Sequence, residues 1–152
     1  MSPQSYGEVA LRTVSPLRTD DTIESAVARL LDSGMPALPV VDAEDRYAGI
    51  FGEREFMAAL FPGYLKELRH SGFLARSLDD ALERRESCRA DTIERHMNTE
   101  HIDVAPDYAD TQVAEIFLHH RVLVVPVVER GQIQGVLTRS DFFRAVAKRF
   151  VE

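Results

Sequence analysis

Ala37-Leu38-Pro39-Val40-Val41-Asp42 and Val124-Val125-Pro126-Val127-Val128-Glu129 carry one pattern twice: an apolar run interrupted by proline and closed by an acid. A short polar turn follows each, Asp42-Ala43-Glu44-Asp45 or Glu129-Arg130-Gly131-Gln132, and then a second apolar stretch holding Gly49 or Gly135. The prolines lie 87 residues apart and the glycines 86, so the copies differ by one residue of turn. Self-similarity at a fixed spacing marks an internal repeat. Short β-branched runs separated by turn residues predict antiparallel hairpins, residues 37–41 with 47–51 and 123–128 with 133–137.

Working outward, Ile23, Ala26, Val27, Leu30 and Leu31 recur at helical spacing before the first hairpin, as do Val113, Ile116 and Phe117 before the second. Thr22 or Asp21 stands where a cap belongs. After the hairpins, the tetrads Gly52-Glu53-Arg54-Glu55 and Thr138-Arg139-Ser140-Asp141 lead into further helices, with Phe56 and Phe142 at matching positions. Extended entries are expected at residues 13–17 and 100–104. The fold class is therefore α/β (α+β): two pseudo-symmetric repeats, residues 8–61 and 92–150, each a small sheet with two helices. A unit of about 50 residues buries too little surface to be comfortably stable alone, so the copies are expected to pack together. Residues 62–91 form a helical insert, with Tyr64, Leu65, Leu68, Phe73 and Leu74, then Leu78, Ala81 and Leu82, at helical spacing. A further helix is expected over residues 91–97 and fraying over residues 1–7.

Composition narrows the function. With 45% hydrophobic and 28% charged residues the chain is a folded globular protein, and no apolar run approaches the roughly 18 residues that span a bilayer. A net charge of −7 disfavours nucleic acid. Cys88, the single cysteine, cannot form an internal disulfide and is expected to be exposed near a helix end; residues 1–12 lack the apolar stretch of a secretory signal. The expected location is the cytoplasm, without membrane insertion. His119 and His120 are adjacent and point about 100° apart on a helix, a poor chelating pair, so no metal is expected. No nucleophile elbow, phosphate loop or metalloprotease helix occurs, and the chain is not expected to be an enzyme.

Thr138-Arg139-Ser140-Asp141 places a hydroxyl and a carboxylate three residues apart where a strand enters a helix. That spacing approximates a capping box. The same geometry suits a ligand, with free N–H groups and Thr138 meeting a phosphate, Arg139 neutralising it, and Asp141 accepting from both hydroxyls of a ribose. In the first copy the hydroxyl is missing, Glu55 stands for the aspartate, and Glu53 would repel a polyphosphate. Gly52 would permit close approach of a phosphate and Arg54 supplies charge. Unequal clefts follow, the one using Thr138 and Asp141 being the better.

The order Leu31-Asp32-Ser33-Gly34, Leu38-Pro39-Val40-Val41-Asp42 and Gly49-Ile50 is matched in the second copy by Val125-Pro126-Val127-Val128 and Gly135-Val136-Leu137-Thr138-Arg139-Ser140-Asp141, preceded by Ile93-Glu94-Arg95-His96-Met97. It resembles the CBS (cystathionine beta-synthase) domain, and the tandem resembles a CBS pair, or Bateman module. The resemblance implies two sheets around a pseudo-twofold axis and two clefts that take AMP, ADP, ATP or S-adenosylmethionine as regulatory ligand. It also implies a homodimer that signals to an effector protein, here outside the chain. For the adenine slot the resemblance points to Ile102, Asp103, Val122 and Val124, grouped with Thr138, Arg139 and Asp141. Ser15, Pro16, Met35 and Ala37 are grouped with Gly52, Arg54 and Glu55 in the weaker cleft. Which copy's strands face which tetrad stays open. The expected function is a stand-alone adenosyl-ligand sensor; the alternative is a dimerisation or protein-interaction module that binds no nucleotide and uses residues 62–91.

Overall fold

The structure is a computed structural model that describes residues 6–61 and 86–152, so the expected insert helices before residue 86 lie outside the described residues. In chain order the first copy holds α1 (Tyr6–Ala10), β1 (Leu17–Arg18), α2 (Ile23–Ser33), β2 (Ala37–Val41), β3 (Tyr47–Gly52) and α3 (Glu53–Leu60). The second holds α4 (Asp110–His119), β4 (Val124–Glu129), β5 (Gln132–Thr138) and α5 (Arg139–Val151). Local chemistry explains the boundaries. Thr22 has extended φ/ψ and its side chain accepts from the Ser25 N–H, satisfying an otherwise orphan donor, while Gly34 closes α2 in the left-handed region. The second hairpin turns through Arg130 and Gly131, both at positive φ, the conformation a two-residue hairpin turn demands.

β2 and β3 pair antiparallel with an irregularity between Val40 and Val41; β4 and β5 repeat it between Val127 and Val128. Leu17 in β1 lies parallel to Val40, and Val104 bridges to Val127 at the corresponding place in the second copy. The copies also exchange their lead-in segments. Arg12 forms a reciprocal backbone pair with Val136 of the second copy, and Asn98 forms one with Ile50 of the first. This crossing explains the repeat's glycines: a Cβ on Gly49 would sit 2.5 Å from the Asn98 carbonyl oxygen, and one on Gly135 3.0 Å from that of Arg12.

Two expectations are corrected by the crossing. Residues 6 and 7 are not frayed, because the Asp110 carboxylate accepts from the N–H groups of Tyr6 and Gly7 at 3.0 and 2.9 Å and holds α1 on the second copy. Residues 91–97 form no α-helix; the turns there are 3-10 helices over Glu86–Ala90 and Ile93–Arg95. The reason is that the Asp91 carbonyl, which Arg95 would need in an α-helix, accepts from Ile23 instead, and Arg95 turns to the Thr92 carbonyl, while Ile93 donates to the Asp21 carbonyl and ties the segment to the first copy. Cys88, expected to be exposed, is only 5% accessible and packs with Ile93 in the first core. That core gathers Leu17, Ile23, Leu38, Phe51 and Ile93 together with Val124 and Val136, so strands of both copies share one apolar interior. The second core holds Val104, Val113, Val125, Leu137 and Phe142.

Candidate functional site

Thr138 ends β5 and caps α5. Its backbone is extended, its side chain accepts from the Asp141 N–H at 3.0 Å, and only 5% of the residue is exposed. The capping expectation for this residue is therefore met in the structure. Asp141, one turn into the helix, turns its carboxylate toward Arg12 of the crossing segment. Arg12 Nε donates to one oxygen at 2.5 Å and Nη2 to the other at 3.0 Å. Burial pushes the Asp141 carboxyl up, but hydrogen bonds from Arg12 and Thr138 and the charges of Arg12 and Arg144 outweigh it and hold the group below the ordinary carboxylate range. With Arg12 half exposed the pair is worth about 1 kcal/mol or less in stability; its bidentate form fixes orientation.

Beside this pair opens a hollow of about 360 Å³, edged by Arg12, Met35, Leu123, Thr138, Arg139, Asp141 and Arg144. A second hollow of about 400 Å³ shares Arg12 and Met35 and is edged by Val14, Ser15, Arg29 and Leu38. Three guanidiniums, the Thr138 and Ser140 hydroxyls and the carboxylates of Glu53 and Asp141 gather in the first, whereas the second mixes Val14, Met35 and Leu38 with polar side chains including Arg29 and Asp32. Arg29 reaches across from α2 and donates to the carbonyl oxygens of Ser15 at 2.6 Å and Pro16 at 2.9 Å, bracing the entry segment.

The other tetrad has a different surrounding. Arg54 donates to the Arg121 carbonyl, and the space left between Ala37, Glu55, Val122 and Val124 is about 20 Å³. That is room for a water molecule, not for a nucleoside. Gly52 departs from its sequence reading: its closeness is to its own hairpin, since a Cβ would lie 2.4 Å from the Ala37 Cβ and 2.5 Å from the Pro36 oxygen. Burial raises the Glu55 carboxyl above its ordinary range, against the lowering effect of the Glu55 and Gly52 amides and Arg54. A raised acid stabilises the fold fully below its unfolded pKa, and that contribution is lost as pH rises through the folded value. Glu55→Gln, which keeps an acceptor without the charge, is therefore expected to raise the melting temperature at pH 7 and to leave it nearly unchanged near pH 3.5. An equal effect at both pH values would contradict this reading.

Each tetrad faces strands of the opposite copy. Met35 lies by Thr138, Arg139 and Asp141, with Ser15 in the adjoining hollow, whereas Val122 and Val124 lie by Arg54 and Glu55. Those four residues thus change clefts relative to the sequence grouping; Ala37 stays with Arg54. Pro16 contributes a carbonyl to Arg29 rather than a wall. Ile102 and Asp103 border neither hollow: Ile102 packs on the second core, and desolvation raises the Asp103 carboxyl. Arg12 and Arg144 were missed by sequence reasoning. Arg144 follows Asp141 by three residues on one helix and could have been found from that spacing; Arg12 stands 86 residues before Asn98, so the repeat register carried a signal for it.

Paired hairpins, crossed lead-ins and a cleft shared between copies define a tandem-repeat module, and the chain belongs to the CBS domain family, whose model matches residues 7–62 and 93–148. A proposed acetoin utilization protein (AcuB) from Vibrio cholerae is 20% identical with a TM-score of 0.70, over 97% of this chain and 93% of that one. CBSX2, solved in complex with AMP, is 16% identical with a TM-score of 0.69, over 97% and 99%. MJ1225 from Methanocaldococcus jannaschii, described as a proposed archaeal homologue of γ-AMPK, is 18% identical with a TM-score of 0.71, over 91% of this chain and 48% of that one. Among the described residues no helix is long and apolar enough to cross a membrane.

Proposed function

We propose that this CBS pair is a regulatory module whose cleft beside Thr138 and Asp141 takes an adenosyl ligand from the set AMP, ADP, ATP and S-adenosylmethionine. The observation that carries the reading is the 360 Å³ hollow in which Thr138, Asp141 and three guanidiniums converge, next to a hollow of mixed lining in which Val14, Met35 and Leu38 stand among Thr13, Ser15, Arg29, Asp32 and Ser33. A cationic hollow beside one of mixed lining suits a ligand with an anionic end and a flat ring that packs on apolar side chains and hydrogen-bonds at its edge. The AMP complex of CBSX2, a protein of the same fold, supports the choice of ligand class. Arg12 and Met35 come from one copy and Thr138 and Asp141 from the other, so a ligand that fits one arrangement of the copies better shifts the population toward it. An effector protein then reads the change.

The test is thermal unfolding with AMP, ADP, ATP, S-adenosylmethionine or NADH, each with and without magnesium. A ligand at about one hundred times its dissociation constant stabilises the folded state by roughly 2.7 kcal/mol, or several degrees in a chain of this size. A shift with one adenosyl ligand is expected. No shift with any of them would overturn the reading in favour of an interaction module working through residues 62–91.

A further inference from the structure

In the structure both oxygens of Asp141 are taken by Arg12, and the carboxylate is only 16% exposed while the guanidinium is 50% exposed. A ribose that hydrogen-bonds Asp141 must therefore compete with Arg12. The Arg12 backbone cannot retreat, because its N–H and carbonyl are both paired with Val136. Only the side chain can move, and the half-exposed guanidinium has the 360 Å³ hollow beside it. There it joins Arg139 and Arg144, against the single further carboxylate of Glu53.

From this we infer that Arg12 is a specificity-determining residue: it admits nucleosides that carry a phosphate and selects against neutral nucleosides and against the sulfonium cation of S-adenosylmethionine. The inference rests on the proposed nucleoside-binding role of the cleft. A phosphate offers the planar guanidinium of Arg12 two oxygens in place of those of the carboxylate it releases. Adenosine offers none and leaves three guanidiniums facing one another. S-adenosylmethionine, net positive, brings its sulfonium to that group, where like charges repel, and its carboxylate stands several bonds further from the ribose than a 5′-phosphate does.

Calorimetric titration of the whole chain with AMP, adenosine and S-adenosylmethionine tests it, alongside the variant Arg12→Gln. The wild-type chain is expected to bind AMP at least about tenfold more tightly than either of the others. In Arg12→Gln the AMP affinity is expected to fall by about tenfold while that of adenosine holds or rises, since Asp141 is released. This opposite movement is what a general structural defect would not produce; Arg12→Lys, which keeps the charge, is expected to retain part of the preference for AMP. Equal binding of AMP and adenosine by the wild-type chain, or a parallel fall of both in Arg12→Gln, would overturn the inference and leave the nucleoside site standing. Absence of binding by all three, and by ADP and ATP in the same titration, would instead overturn the nucleoside reading itself, and this inference with it.

Discussion

Gly52→Ala is expected to destabilise the fold by about 3 kcal/mol, the upper part of the range for forcing extra atoms into a filled interior. The added Cβ would meet the Ala37 Cβ at 2.4 Å, the Pro36 oxygen at 2.5 Å and the Ala37 Cα at 2.6 Å. None of these is the end of a flexible side chain, so β2 and β3 would have to separate where Ala37 pairs with Gly52. The φ of Gly52 is −159°, open to any residue, and the effect is steric alone. At about 2 to 4 °C per kcal/mol the melting temperature should fall by roughly 6 to 12 °C. An unchanged midpoint would show that the hairpin is looser than the structure has it. The consequence reaches function: restoring the hydroxyl of the second tetrad by Gly52→Thr would disturb the first hairpin rather than rebuild a second site.

Asp141→Ala is expected to weaken binding of an adenine nucleotide by at least about tenfold. Two effects oppose each other. The variant frees Arg12 for the phosphate, a gain limited to the roughly 1 kcal/mol or less of a half-exposed ion pair. It also removes an acceptor able to take hydrogen bonds from two ribose hydroxyls, each worth about 1.5–3 kcal/mol when the acceptor is charged. The loss is larger, and tenfold corresponds to about 1.4 kcal/mol of the difference. Because Thr138 still caps α5 through the backbone N–H of residue 141, the fold should persist, and a melting temperature close to wild type separates a binding defect from unfolding. Unchanged affinity would remove Asp141 from the site.

The hairpins, the helices before them and the Thr138 cap were legible because each depends on neighbours within a few residues: period, turn chemistry and the three-residue reach of a hydroxyl. What could not be read depended on pairings across the chain. Arg12 and Asp141 are 129 residues apart and meet only because the lead-in segments cross between copies. The same crossing decides that Met35, not Val124, borders the hollow beside Thr138, although Val124 is the cross-strand neighbour of Thr138. Local reading also misjudged Cys88, expected to be exposed, and residues 91–97, expected to be helical, because the long-range pair between residues 21–23 and 91–93 pulls the segment onto the first core. Gly52 was read for the close approach of a phosphate, whereas its lack of a side chain serves the contact with Pro36 and Ala37.

The clefts differ in volume, about 360 Å³ beside Thr138 against 20 Å³ beside Arg54, and that difference makes the central claim countable. Calorimetric titration of the chain with AMP is expected to give one site per chain, with the affinity lost in Asp141→Ala. Two equal sites per chain, or one site indifferent to Asp141, would contradict it.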